Sequence, residues 1–145
     1  PRSLTAYVSK GRVVMKKKGI IHGQLAGALA ALGHKDRFLL CDAGMPIPSG
    51  VPIIDLAVVG GVPTFRQVFD AIMDEIVVEQ YTLAEEIKKT NPEILGHLRD
   101  TLKGAEEDFI PHVDLKKESA HVKFAVRTGE FSYYPNVILQ AGVCF

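Results

Sequence analysis

The sequence predicts a three-layer α/β/α domain with a mixed, mostly parallel central sheet of about six strands. Two observations set this class. Short apolar runs alternate with longer segments whose leucines, isoleucines and valines recur at helical spacing. Those short runs are continuous rather than alternating, as in strands covered on both faces. A third observation locates a site. Asp42 follows the run Phe38-Leu39-Leu40-Cys41 and opens Ala43-Gly44-Met45-Pro46-Ile47-Pro48, a stretch too rich in glycine and proline for regular structure. Open α/β sheets build their sites in loops at the carboxyl ends of strands.

Taken in order, Ile20 to Leu32 carries Leu25, Leu29 and Leu32 on one helical stripe, and Gly33 stands where a left-handed cap is expected. Phe38 to Cys41 and Ile53 to Val59 read as buried strands. Gly60-Gly61-Val62-Pro63 breaks the chain and Thr64 offers an N-cap. Phe65, Val68, Phe69, Ile72 and Ile76 then form one face of a second helix. Ile76 to Leu83, with Val77, Val78, Tyr81 and Thr82, suits a pleated surface. Asn91-Pro92 is a cap followed by proline at the first helical position, and Ile94, Leu95, Leu98 and Leu102 continue that helix to Gly104. A brief strand over Asp108 to Ile110 stops at Pro111, and a short helix runs from His112 to Ser119. Val122 to Arg127 and Val137 to Gly142 supply the last strands. No repeat, low-complexity tract or linker interrupts this order.

The chain is 145 residues long, enough for one conventional core without a staple. Its 17 basic and 17 acidic residues are interspersed, which argues against nucleic acid or an anionic membrane as partner and leaves small neutral ligands. Cys41 and Cys144 are far apart and lie in apolar runs, so they read as inert core thiols in a reducing compartment. No apolar run reaches the roughly 18 residues that span a bilayer, and no stretch has the pattern of a signal peptide. The expected location is the cytoplasm. Met15-Lys16-Lys17-Lys18-Gly19-Ile20 reads as a native start, so residues 1–14 are taken as a leader and 15–145 as the single domain. Tyr7 to Val14 is expected to add an edge strand or to pack on a neighbouring chain.

Several side chains are chemical candidates. His34, after a helix end, is either a proton donor, since the negative end of the dipole favours the imidazolium, or a solvated capping residue. Asp42 is a ligand-binding carboxylate or the cap of an Asx turn. His112, near a helix N-terminus that favours the neutral ring, could accept protons or bind hydroxyls, or could be a surface turn residue. His121 beside a strand reads as structural. Tyr134-Pro135-Asn136 combines a flat ring, a phenol and an amide, groups that grip a sugar by stacking and paired hydrogen bonds. The sequence lacks a Gly-x-Ser-x-Gly elbow, a phosphate loop and a Gly-x-Gly-x-x-Gly fingerprint. None of the histidines pairs with Asp42 or another ligand at metal-site spacing, so no metal is assigned.

Read together, these blocks resemble the D-ribose pyranase family, relatives of L-fucose mutarotase. The resemblance runs from Met15 to Phe145. It rests on Lys16-Lys17-Lys18-Gly19-Ile20, Leu32-Gly33-His34-x-Asp36, Asp42-Ala43-Gly44-Met45-Pro46-Ile47-Pro48, Ile54-Asp55-Leu56 and Ala84-Glu85-Glu86-Ile87-Lys88. Further on it rests on His112 with Leu115-Lys116, Arg127-Thr128-Gly129-Glu130 and Tyr134-Pro135-Asn136-Val137-Ile138-Leu139. His22, where relatives often carry Asn, and Tyr133 and Pro135, where Pro and a small residue are expected, depart from the pattern.

The resemblance implies exchange of D-ribose between pyranose and furanose rings, with no cofactor and no covalent intermediate. It places the catalytic histidine on His34 and the sugar-binding positions on Asp42, His112, Tyr134, Pro135 and Asn136, with Lys116 as a supporting candidate. One tension follows from the residues themselves: His34 and Asp42 lie at opposite ends of a predicted strand, and eight residues at about 3.3 Å each span up to roughly 26 Å. The resemblance resolves it by assembly, implying a homo-oligomer, a decamer of two stacked pentameric rings, with sites between subunits. Two other readings stay open: a mutarotase for L-fucose or another monosaccharide, and a non-catalytic sugar-binding module associated with sugar uptake.

Overall fold

The structure is a computed structural model that describes residues 15–145. The expected edge strand over 7–14 lies outside the described residues. Helices α1 (Gly23–Ala30), α2 (Phe65–Met73), α3 (Ile87–Thr90), α4 (Pro92–Thr101) and α5 (His112–Glu118) alternate with strands β1 (Arg37–Cys41), β2 (Ile53–Asp55), β3 (Val78–Ala84), β4 (Glu106–Ile110), β5 (Ala125–Arg127) and β6 (Val137–Ala141). The strands form one sheet in the order β2-β5-β1-β6-β3-β4. β6 is antiparallel to both neighbours, while β2, β5 and β1, and likewise β3 and β4, run parallel. The mixed, mostly parallel sheet of the sequence reading is therefore what forms.

Strand pleating divides the core. Successive side chains of β1 point to opposite faces, so Phe38 and Leu40 join α1, α2 and α4 through Leu25, Leu29, Phe69, Ile72 and Leu98. Leu39 and Cys41 face the other way, onto Leu115 of α5 and Met45. Layers on both faces explain why β1 reads as an unbroken apolar run. The Thr64 cap forms as expected and is a full capping box: Thr64 Oγ1 accepts from Gln67 N at 3.1 Å, and Gln67 Oε1 accepts from Thr64 N at 2.9 Å.

Several boundaries differ from expectation. α1 starts later, because His22 takes the N-cap and its Nδ1 accepts from Leu25 N at 3.2 Å. It also ends earlier, at Ala31, and the left-handed residue in the following turn is Lys35 (φ 73°) rather than Gly33. Asn91 does not cap α4 with its side chain, which is drawn instead to the loop before β6. β2 stops at Asp55, with Val59 pairing only with Val62 across the Gly60-Gly61 turn, and it is not the buried strand expected: it lies at the sheet edge, and Ile53, Val58 and Val59 are exposed. Cys41 is buried and its thiol is pushed up to about 12 by desolvation. Cys144 is exposed, so the expectation of a core thiol fails there.

Candidate active site

Strand direction gathers the polar loops. β1 to β5 share one direction and β6 opposes them, so residues that follow those five strands lie at the same edge as residues that precede β6. Asp42 follows β1, His112 follows β4 after Pro111, and Tyr134 to Asn136 precede β6. Asp42, His112, Lys116, Tyr134 and Asn136 accordingly line one cleft of about 330 Å³, together with Tyr133, Met45 and Pro46. Pro135 is buried and contributes no surface to it. A second hollow of about 320 Å³ adjoins the cleft, sharing Asp42 and Tyr133 and adding Arg127, Glu130 and Phe131.

Each cleft residue is held by identifiable bonds. The Asp42 N–H donates to Asn136 Oδ1 at 2.9 Å, and Asp42 Oδ1 accepts from Gly44 N at 3.0 Å, so the Asx turn does form beside the cleft. Burial raises the Asp42 carboxyl above its ordinary range, opposed by the Gly44 and Met45 amides, the Asn136 side chain and His112. The loop it opens is pinned by Arg127, whose Nε donates to Ala43 O at 3.0 Å while Nη1 grips both Asp55 oxygens at 3.0 and 2.9 Å.

His112 is the first residue of α5, and its N–H donates to Glu86 Oε1 at 3.0 Å. Its ring meets Tyr134 edge-on, with centroids 4.9 Å apart and planes at 84°. Nδ1 is buried without a hydrogen-bond partner among the described residues, an open position on a cleft-lining ring. Burial lowers the His112 pKa, Lys116 adds to the effect, and Glu86 and Asp42 oppose it. The neutral ring expected from the sequence is therefore favoured, chiefly through desolvation.

Tyr134 has φ 66°, a left-handed conformation uncommon outside glycine. The surrounding loop imposes it. Asn91 Nδ2 donates to Ser132 Oγ at 2.9 Å and Tyr133 O at 3.2 Å, Asn136 N donates to Tyr134 O at 2.8 Å, and Glu130 accepts from Phe65 N and Ser132 N at 2.9 and 3.3 Å. Gly129 permits the close approach beneath, since a Cβ there would stand 2.5 Å from Val62 O.

His34 is not in this cleft. It lies before β1, at the opposite edge, in a turn closed by Gly33 N to Asp36 Oδ2 at 2.7 Å. Its Nε2 contacts Glu79 Oε1 at 2.8 Å, so its partner is β3 rather than the end of α1. His121 is exposed in a 3-10 turn rather than beside a strand. Sequence reasoning did not single out Glu79, read Asn91 only as a helix cap and quoted Glu130 only within a block, and the roles of all three come from folding across the chain. Glu86 lay inside a quoted block but carried no separate signal. Among the described residues no three His, Cys, Asp or Glu side chains converge as a metal site, and no helix is long and apolar enough to cross a membrane.

With this geometry established, the comparisons place the chain. Residues 15–144 match the RbsD / FucU transport protein family, and the chain belongs to that family. A D-ribose pyranase of Streptomyces avermitilis is 48% identical over 131 residues, covering 90% of this chain and all of the relative. A D-ribose pyranase of Bacillus licheniformis is 47% identical over the same span. The solved structure of Bacillus subtilis RbsD complexed with D-ribose superposes with a TM-score of 0.86 at 41% identity, covering 90% of this chain and all of that one.

Proposed function

We propose that this protein is a D-ribose pyranase, an isomerase that interconverts the pyranose and furanose rings of free D-ribose. The observation that carries this reading is the similarity to D-ribose pyranases over their whole length, at 48% identity for the Streptomyces avermitilis enzyme. The cleft supports it with a carboxylate, a neutral imidazole, a phenol and an amide, groups suited to an uncharged polyol.

The chemistry needs only proton transfers. Ring opening removes the proton of the anomeric hydroxyl and delivers one to the ring oxygen, which leaves the open-chain aldehyde. Closure through the C4 hydroxyl, in place of the C5 hydroxyl, removes that hydroxyl's proton and protonates the aldehyde oxygen. A positioned acid–base group contributes about 10²–10⁴-fold to such steps. In this reading His34 exchanges the protons, Asp42, Tyr134 and Asn136 hold hydroxyls, and His112 binds a hydroxyl or carries the second proton. Lys116 supports His112, and Pro135 shapes the loop from within.

His34 reaches the sugar from a second subunit. The opposite sheet edges on which His34 and the cleft stand support this reading. Exposed apolar side chains support an assembly: Phe131 and Tyr133 beside the cleft are 74% and 76% exposed, and Val77 and Val143, next to the strand ends near His34, are 44% and 42% exposed. A ring-shaped homo-oligomer, a decamer of two stacked pentamers, is the assembly we assign. The cytoplasm is the assigned compartment, in keeping with two unpaired cysteines among the described residues.

Magnetisation-transfer NMR on D-ribose tests the function. Added protein should speed exchange between pyranose and furanose signals. Exchange between anomers of one ring size alone, or faster exchange for L-fucose than for ribose, would indicate a mutarotase instead. Binding without any faster exchange would indicate a sugar-binding module.

A further inference from the structure

Glu79 stands at an irregularity of the sheet. Val78 pairs with Ala141 and Gln80 with Gln140, so the register of β3 against β6 slips at the residue between them. Bulges of this kind re-aim a side chain and recur beside active sites. Gly142 makes room for it, since a Cβ there would stand 3.2 Å from Glu79 Cβ. The carboxylate is gripped on both oxygens. Oε2 accepts from Gln140 Nε2 at 2.6 Å and Lys35 Nζ at 3.3 Å, and Oε1 meets His34 Nε2 at 2.8 Å.

We propose that Glu79 is the positioning residue for His34, fixing the neutral ring as the Nε2–H tautomer so that Nδ1 is the nitrogen that trades protons with the sugar. This rests on the assignment of His34 above. Gln140, His34 and Lys35 hold the Glu79 carboxyl down to about 2, so it is ionised at neutral pH. An ionised carboxylate only accepts hydrogen bonds, so Nε2 must carry a proton. When Nδ1 takes a proton from the sugar, the resulting imidazolium faces a fixed negative charge at Nε2. When Nδ1 returns it, the ring relaxes to the same tautomer. Gln140 and Lys35 keep Oε1 aimed by occupying Oε2.

The test measures ribose exchange by magnetisation transfer at several ribose concentrations in Glu79→Gln, Glu79→Asp and His34→Ala, with melting temperature and oligomer size beside each. A glutamine amide can face either tautomer, so Glu79→Gln should lower kcat about 10–100-fold, by analogy with carboxylates that orient metal-bound imidazoles. KM, melting temperature and assembly should change little, and Glu79→Asp should recover part of kcat. A wild-type kcat in Glu79→Gln, with His34→Ala inactive, would overturn the assignment of Glu79 alone. Exchange surviving in His34→Ala would overturn the reading beneath it. A purely structural Glu79 would show lowered melting temperature with kcat per folded site unchanged, which also overturns the proposal. If Glu79→Gln does not assemble, Gln140→Met decides: lowered kcat at unchanged KM supports the proposal, and unchanged kcat overturns it.

Discussion

At the scale of single residues, the assigned roles separate binding from proton transfer. His34→Ala should reduce ring exchange at least about 100-fold, within the range for loss of a general acid–base group, while ribose affinity measured by calorimetry should stay close to that of the parent. His112 makes a prediction in pH. Its folded-state pKa lies below the ordinary 6.5, so the unfolded chain binds more protons as pH falls past that value. Its contribution to stability is full above pH 6.5 and is lost as pH drops through the lower folded value. Melting temperature should decline across that window, and His112→Asn should flatten the decline. Glu79 does not confuse the result, because its contribution is lost only between its ordinary 4.5 and about 2. The sequence pointed to His34, Asp42, His112, Tyr134 and Asn136 because each sits at an element boundary beside glycine, proline or an apolar run. Glu79 was illegible, since an acid within a strand looks like any solvated position until the bulge and Gln140 are seen.

At the scale of elements, caps and loop clamps make the distinction between fold and site. Thr64→Ala removes half of the capping box of α2 and should cost about 1 kcal/mol, seen as a shift in the urea midpoint with exchange rates unchanged. Asn91→Ala removes donors from Ser132 and Tyr133, the two residues before the left-handed Tyr134. It should raise KM for ribose roughly tenfold, as expected for losing a bond of about 1.4 kcal/mol, with assembly intact. Helix faces and the central strand β1 were readable from the sequence, because burial on one stripe or on both faces leaves a pattern. Ile53 to Val59 misled, since β2 is an edge strand with Ile53 exposed. Helix ends were not readable. His22 caps α1 with a ring nitrogen, and Asn91, which has the composition of a cap, spends its amide on a loop 41 residues away.

At the scale of the whole molecule, topology separates His34 from the cleft. His34 precedes β1 and Asp42 follows it, so the extended strand holds them apart. That separation was legible in the sequence, because strand length is arithmetic; that three segments distant in sequence meet in one cleft was not legible from spacing, and only the resemblance grouped their residues. The proposed two-chain site is tested most directly by mixing His34→Ala with Asp42→Ala, at a ribose concentration where neither variant alone speeds exchange, and letting their subunits exchange. Random assembly leaves about one quarter of interfaces with both native halves if neighbours contribute one each, so ribose exchange should return to about a quarter of the parent rate. A site contained in one chain would have no intact copy in any mixture, and an inactive mixture with demonstrated subunit exchange would contradict the two-chain site.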